Sequence, residues 1–182
     1  SPSANGMTEG TIGIPSSGKW YWEHYTDDET SQLCGIAAVD FLTATATNSY
    51  MGFGKSRGYY SASGNKVGDA VYTSYGDSYT DGDIIGVAVD MENGALYFAK
   101  NNTWQDSGDP TSGASKTGAA FTDLLTSADF DSGIMPGWSD QNQGTSDTTI
   151  GNFGQDSSFA GNVTAQGNQD GKGKGDFYYE PP

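Results

Sequence analysis

Residues 81–100, DGDIIGVAVDMENGALYFAK, decide the fold class of this chain. In the first half of the stretch, large apolar residues alternate with small or polar ones, which is the two-residue period of a half-buried β-strand. Asn93 and Gly94 are the strongest short-range signal for a two-residue type I′ turn, because both central residues of that turn need positive φ. Such a turn places Val89 opposite Phe98, so the stretch predicts an antiparallel hairpin with one apolar face. A buried helix is disfavoured because it would contain Asn93 and two glycines.

Short strands separated by turn residues are expected on both sides of this hairpin. Turn signals about every ten residues, with almost no helical period, predict an all-β antiparallel sandwich. Residues 19–25 carry large side chains on both faces, which is typical of a strand in the middle of a sheet. A turn is expected at 63–65, and a single helical turn at 121–125. The other expected strands are 11–14, 32–40, 58–61, 70–74, 133–138, 148–153 and 177–180.

The composition contains two opposing signals about folding. Leu, Ile, Val and Phe total only 26 of 182 residues and the formal net charge is −15, a combination that indicates disorder when taken alone. However, the chain has 4 Trp and 11 Tyr and only 17% charged residues, whereas disordered chains are usually poor in aromatic residues. The sequence therefore predicts one folded domain whose core is rich in aromatic residues, Ala and Gly.

The charge and the cysteine count exclude several classes of partner and chemistry. Eight Lys and Arg against 23 Asp and Glu argue against nucleic acid, which needs clustered cations, and against an anionic membrane surface. No apolar run reaches the 18 residues of a membrane-spanning helix, so no membrane insertion is expected. Cys34 is the only cysteine and lies in an apolar run, so we expect a buried, inert thiol.

Three further stretches complete a family pattern with the hairpin: SGKWYWE at 17–23, QLCGIAAVD at 32–40 and IGNFG at 150–154. In this order they match the landmarks of the SPRY domain, also called B30.2-like, and the chain resembles that family from residue 16 to residue 154. The resemblance implies a concanavalin-like jelly-roll sandwich of the SPRY type. It divides the chain into an N-terminal edge segment (1–15), the sandwich (16–154) and a Gly-rich C-terminal segment with a final strand (155–182). It also implies a non-catalytic module that binds partners through loops at one end of the sandwich.

Two more stretches resemble segments of SPRY-bearing proteins of bacteriophages and environmental viruses: KNNTWQDSGDPTSGA at 100–114 and GNQDGKGKGDFYYEPP at 167–182. This resemblance implies a virion protein of a tail or capsid appendage, made in the host cytoplasm and extracellular when mature. The implied partner is a host-surface glycan or protein receptor, or alternatively a neighbouring virion protein. The first and last residues, SPSANG and EPP, are typical of a piece cut from a longer polypeptide.

Catalytic patterns are weak. His24 is the only histidine, so any Ser-His-Asp or Cys-His scheme has to include it, yet it lies within a predicted strand with no G-x-S-x-G elbow nearby. The Glu-x-Asp-x-x-Glu pattern of sandwich-fold glycosidases is absent, and the SPRY resemblance gives Glu23 no catalytic role. We therefore expect no catalytic residue and no cofactor, with a glycan-cleaving enzyme as a third alternative.

Metal ligands are equally sparse. One His and one Cys do not make a zinc site. The Asp-rich stretches at 77–83 and 168–176 do not complete a calcium loop, so turn-capping acids are favoured and no metal-binding residue is predicted, with calcium in these loops left open.

The remaining candidates are aromatic residues that alternate with amide and carboxylate side chains in predicted loops. Such sets suit sugar rings and protein partners alike, although each aromatic residue is alternatively a core residue in a chain short of aliphatic ones. The predicted ligand-binding residues are Tyr59, Tyr60, Trp104, Trp138, Asp140, Gln141 and Asn142.

Overall fold

The computed structural model describes residues 6–27, 31–41, 50–141 and 148–182. Eleven β-strands and three single-turn 3-10 helices are described in these ranges. The strands are β1 Met7–Glu9, β2 Lys19–Asp27, β3 Gln32–Ala38, β4 Ser56–Tyr60, β5 Asn65–Gly68, β6 Val71–Ser74, β7 Ile84–Asp90, β8 Ala95–Lys100, β9 Thr103–Trp104, β10 Ile134–Asp140 and β11 Thr148–Asn152. The 3-10 helices are Gln105–Ser107, Gly113–Ser115 and Ala128–Phe130.

The strands form two antiparallel sheets. The six-stranded sheet has the order β1-β10-β3-β4-β5-β6, and the five-stranded sheet has the order β11-β2-β7-β8-β9. β2 is hydrogen-bonded to a strand on each side, as its large residues on both faces predict. This architecture confirms the predicted all-β antiparallel sandwich.

Aromatic side chains fill much of the space between the sheets. Tyr59 of β4 stacks on Phe98 of β8 with ring centroids 5.2 Å apart, and both rings are fully buried. Aliphatic residues of both sheets belong to the same core, with Ile36 and Ile134 from the six-stranded sheet and Val87 from the five-stranded sheet. The core is therefore rich in aromatic residues, as the composition predicts for a chain with few aliphatic ones.

The β7–β8 hairpin forms with a turn different from the predicted one. The last paired residues are Asp90 and Ala95, so the turn has four residues instead of two. Gly94 has a φ of +73° and its N–H donates to the carbonyl oxygen of Asp90, whereas Asn93 has no positive φ. The Asp90 carboxylate caps this turn, because its Oδ1 accepts the backbone N–H groups of residues 92 and 93. The type I′ prediction is therefore wrong.

The register of the hairpin changes with its turn. Val89 pairs with Leu96, and Val87 pairs with Phe98, two residues away from the predicted partner. Because side chains alternate with a period of two, an even shift leaves every residue on its predicted face. The apolar face of the hairpin is consequently buried as expected.

The outer face of the six-stranded sheet is covered from within the chain. Gly137, Gly35 and Gly58 lie side by side on β10, β3 and β4 and form a trough without side chains. Met51 is fully buried over this trough: a Cβ added at Gly58 would lie 2.9 Å from its Cγ, and one at Gly137 2.7 Å from its Cε. A second, smaller core of Met51 with Leu33 and Val67 results.

Several local predictions are wrong. Asn65, predicted in a turn, begins β5, and no helical turn forms at 121–125, where Phe121 makes a β-bridge to Leu96. The stretch 11–14 makes only a bridge from Ile14 to Ile134, while β1 lies earlier in the chain. The predicted final strand at 177–180 is reduced to a bridge from Phe177 to Asn168.

Candidate functional site

Tyr59 belongs to the core and not to a ligand-binding surface. It lies in β4, points between the sheets and is fully buried, and its hydroxyl donates to the carbonyl oxygen of Asp77. Its neighbours are aromatic rings of the same core, with Tyr75 at 5.9 Å and Tyr79 at 5.2 Å between centroids. The prediction that Tyr59 is an exposed loop residue is wrong, because strand alternation turns it inward and Tyr60 outward.

Tyr60 and Gln141 contribute to one surface on the outer face of the six-stranded sheet. The Tyr60 ring lies 5.5 Å from that of Tyr72, edge to face, and its hydroxyl is 3.0 Å from the Ser31 hydroxyl. Gln141 Nε2 donates to the Tyr72 hydroxyl at 2.7 Å, and that hydroxyl donates to the hydroxyl of Tyr50 at 3.2 Å. We call Tyr50, Tyr60, Tyr72 and Gln141 the tyrosine patch.

The tyrosine patch combines exposure with fixed side chains. The Tyr72 side chain is exposed, and the other three members are half-buried. Partial desolvation of the hydroxyl and its hydrogen bond to Tyr50 raise the pKa of Tyr72 above its usual value, so the hydroxyl is neutral and acts as both donor and acceptor. The hydrogen bonds between these side chains hold three phenol rings in place at the surface before any ligand arrives.

Trp138 lies in a cleft between the two sheets. The cleft has a volume of about 240 Å³ and is lined by Pro136, Trp138, His24 and Phe153, among others. Trp138 is half-buried, and its Nε1 is buried with no hydrogen-bond partner in the described part of the chain. Asp140 follows on the same strand with its side chain half-buried, and Asn142 lies outside the described residues.

Burial determines the protonation state of His24. Burial lowers its pKa from the ordinary 6.5 to about 4, so the ring is neutral at physiological pH. Trp22 Nε1 donates to His24 Nε2 at 3.0 Å, and because indole has only a donor, the proton of the neutral imidazole is on Nδ1. A catalytic triad would need a nucleophile at Nε2, a position that Trp22 occupies.

Cys34 is buried in the same core. Burial raises the pKa of its thiol to about 12, which leaves it protonated and unreactive at physiological pH, as expected from its apolar surroundings.

Trp104 is separate from the other predicted residues. It lies in β9 at the edge of the five-stranded sheet, is half-buried, and packs edge to face against Tyr21 at 6.4 Å. The predicted site residues therefore do not form one surface. The structure brings Tyr60 and Gln141 into one patch through Tyr72, places Trp138 and Asp140 on β10, which β3 separates from β4, and leaves Tyr59 and Trp104 apart.

A groove that the sequence did not predict lies beside the five-stranded sheet. It has a volume of about 670 Å³ and is bounded by the start of β2, the end of β7, Pro110 and residues of the C-terminal segment. Trp20 and Phe153 are 40% and 53% exposed in its wall, and Lys172 and Lys174 lie on its rim. We call it the C-terminal groove. Its signals in the sequence are weak, because residues from 18 to 182 converge on it.

The described residues contain neither a metal-binding cluster nor a membrane-spanning helix. Among these residues no group of three or more His, Cys, Asp and Glu side chains is arranged to hold a metal ion. Within the same ranges, no helix is long and apolar enough to cross a bilayer.

The chain belongs to the SPRY domain family, since the family model matches residues 19–130. SPRY domains are protein-interaction modules and are generally non-catalytic. Among solved structures, the SPRY domain of human HERC1 is similar, with a TM-score of 0.59, 18% identity and coverage of 80% of each chain. This likeness shows a shared fold. No curated protein matches the chain.

Proposed function

We propose that this SPRY domain is a recognition module of a virus particle and binds a partner protein through the tyrosine patch. The partner is a protein receptor on the host surface, and docking onto a neighbouring virion protein is the alternative. The observation that carries the proposal is the set of three surface tyrosines whose positions are fixed by Gln141 and by each other.

Tyrosine is well suited to protein recognition. It supplies a large, amphipathic contact area with few rotatable bonds, so little conformational entropy is lost on binding. In this patch the Tyr72 hydroxyl already holds hydrogen bonds to Gln141 and Tyr50, which further reduces that loss. A protein surface with matching donors and acceptors would therefore bind a preorganised set of groups.

The virion setting is supported by the stretches 100–114 and 167–182, which resemble segments of phage and environmental virus proteins. Both stretches contribute to the C-terminal groove, the first through Pro110 and the second through the turn at 170–175 and Phe177. Neither stretch contributes to the tyrosine patch. The two surfaces therefore draw on different parts of the chain, and only the C-terminal groove includes residues of these two stretches.

Site-specific photocrosslinking tests the protein partner. A photoreactive phenylalanine analogue replaces Tyr72 in the patch or, as a matched control, Val71, the adjacent residue of the same edge strand. Val71 is 60% exposed and points to the other face of the sheet. Each protein is then illuminated with purified virions or with host envelope proteins, and crosslinked partners are identified by mass spectrometry.

We expect a single partner that crosslinks at position 72 and not at 71. Its affinity should fall about ten-fold or more with Tyr72→Ala, as for an interface hot spot, and stay nearly unchanged with Val71→Ala. If the crosslinked partner is a host envelope protein, the result supports binding to a host receptor. If it is a virion protein, the result supports docking within the virion. Undiminished binding by the double variant Tyr60→Ala/Tyr72→Ala would overturn the proposal, and so would hydrolysis of a glycan by the purified domain.

A further inference from the structure

The C-terminal groove brings together three of the eight cationic side chains of a strongly acidic protein, along with two carboxylates. The chain has eight Lys and Arg against 23 Asp and Glu, yet Lys19, Lys172 and Lys174 all line this one groove. Of its two acidic residues, Asp90 pairs with Lys19, whose ammonium lies 3.9 Å from the Asp90 carboxylate, so the unpaired cations of the groove are Lys172 and Lys174. Asp90 is buried and caps the β7–β8 turn, and Asp170 accepts hydrogen bonds from the backbone of its own loop.

The loop carrying two of these lysines is a defined turn. Asp170 Oδ1 accepts the backbone N–H groups of Lys172 and Lys174 at 2.9 and 2.7 Å. The N–H of Asp170 in turn donates to the carbonyl oxygen of Lys174 at 2.8 Å, and the N–H of Gly173 donates to that of Asp170 at 2.8 Å. The ammonium groups of Lys172 and Lys174 make no ion pair with any described residue, so their charge is available to a ligand.

Exposed aromatic rings line the same groove as these cations. Trp20 is held in place because its Nε1 donates to the carbonyl oxygen of Ser17 at 3.0 Å, while 40% of the residue remains exposed. Phe153 stacks on the buried Trp22 with centroids 6.2 Å apart and is 53% exposed. Large aromatic residues exposed in the wall of one groove mark a surface for a ligand with an apolar face.

We propose that the C-terminal groove binds a sugar that carries a carboxylate, with the ring against Trp20 or Phe153 and the carboxylate at Lys172 and Lys174. A sugar ring has the flat C–H face that packs on an aromatic ring, and an isolated carboxylate matches two unpaired ammonium groups. The net charge of −15 repels long polyanions, so the ligand carries few charges. This site is independent of the tyrosine patch, which lies on the other sheet.

A pair of probes that differ only in the carboxylate tests the site. Methyl glucuronide and methyl glucoside are titrated into the full chain, with binding followed by calorimetry and by the indole N–H resonance of Trp20. We expect the glucuronide to bind about ten-fold more tightly than the glucoside and to weaken at about 1 M salt, where the Debye length is about 3 Å. The resonance of Trp20 is identified as the indole N–H signal that disappears in the variant Trp20→Phe.

Charge variants locate the binding. Lys172→Gln/Lys174→Gln should abolish the preference for the glucuronide, whereas the matched variant Lys116→Gln, whose lysine lies outside the groove, should retain it. These lysines are at the surface, so the variants are expected to fold, which circular dichroism and a denaturation midpoint verify. The proposal is overturned if neither sugar binds, if both bind equally, or if an oligo-glutamate peptide displaces the glucuronide at lower concentration.

Discussion

The side chain of Glu23 accepts a hydrogen bond from the backbone N–H of Tyr178 at 2.9 Å, across 155 positions of the chain. The neighbouring N–H of Tyr179 donates to the other carboxylate oxygen at 2.8 Å, and Tyr21 and Asn152 supply two further donors. Glu23 is fully buried, and burial raises its pKa above the usual value even though the hydrogen bonds favour the charged form. This carboxylate attaches the C-terminal segment to the outer face of the five-stranded sheet.

Removal of this carboxylate should loosen the C-terminal segment. Glu23→Ala leaves two part-buried backbone N–H groups and two side-chain donors without their acceptor, so we expect the free energy of unfolding to fall by about 2–4 kcal/mol. Amide hydrogen exchange of Tyr178 and Tyr179 should accelerate more than that of the β7–β8 hairpin. Glu92→Ala, at an exposed turn position, is the control and should change neither quantity. Unchanged exchange at Tyr178 and Tyr179 in Glu23→Ala would contradict the assignment.

The sequence predicts those features of the fold that depend on local pattern. Alternation in β7 and β8 predicts the hairpin and its buried face, but the turn depends on how the Asp90 carboxylate caps residues 92 and 93, which the Asn-Gly dipeptide does not reveal. The direction in which Tyr59 points depends on the position at which β4 begins, and strand boundaries are the least certain part of a prediction. The sequence therefore does not distinguish Tyr59 from Tyr60, although their side chains point to opposite faces of the sheet.

The functional surfaces are harder to predict because they are assembled from distant positions. Tyr60, Tyr72 and Gln141 meet only because β6 and the end of β10 lie on the same sheet. Lys172 and Lys174 line the same groove as Trp20 because Glu23 and Asn152 hold the chain that follows them. Both lysines lie in the Asp-rich stretch 168–176, and no local pattern there indicates a groove shared with an exposed tryptophan.

The turn of the β7–β8 hairpin gives a second prediction. Gly94 has a φ of +73°, and a Cβ added there would lie 2.8 Å from Cγ and 3.0 Å from the backbone nitrogen of Leu125. Gly82 has a similar φ of +84° but nothing within 4 Å of such a Cβ. Gly82→Ala should therefore cost only backbone strain, about 1 kcal/mol, while Gly94→Ala should cost about 2–3 kcal/mol through the added contact. Denaturant titration of both variants measures the difference, and equal losses would show that Leu125 does not lie against the turn.

His24 gives the third prediction, on the pH dependence of stability. In the unfolded chain its pKa is near the ordinary 6.5, whereas in the folded protein burial lowers it to about 4. Between these values the unfolded state binds more protons, so stability is greatest above about pH 6.5 and is lost as the pH falls toward 4. The full contribution of this shift is about 3 kcal/mol at 1.36 kcal/mol per pH unit.

The contribution of His24 can be isolated because the chain has no other histidine. All carboxylates titrate alike in the wild-type protein and in His24→Gln, so the difference between their free energies of unfolding reports the histidine alone. This difference should be constant above pH 7. Between pH 6.5 and pH 4 the wild-type protein should lose about 3 kcal/mol of stability relative to the variant. The ring proton resonances of His24 provide the direct measurement. A titration midpoint near 6.5 in the folded protein, together with a flat difference curve, would show that the imidazole is solvated and that the cleft beside Trp138 is open to water.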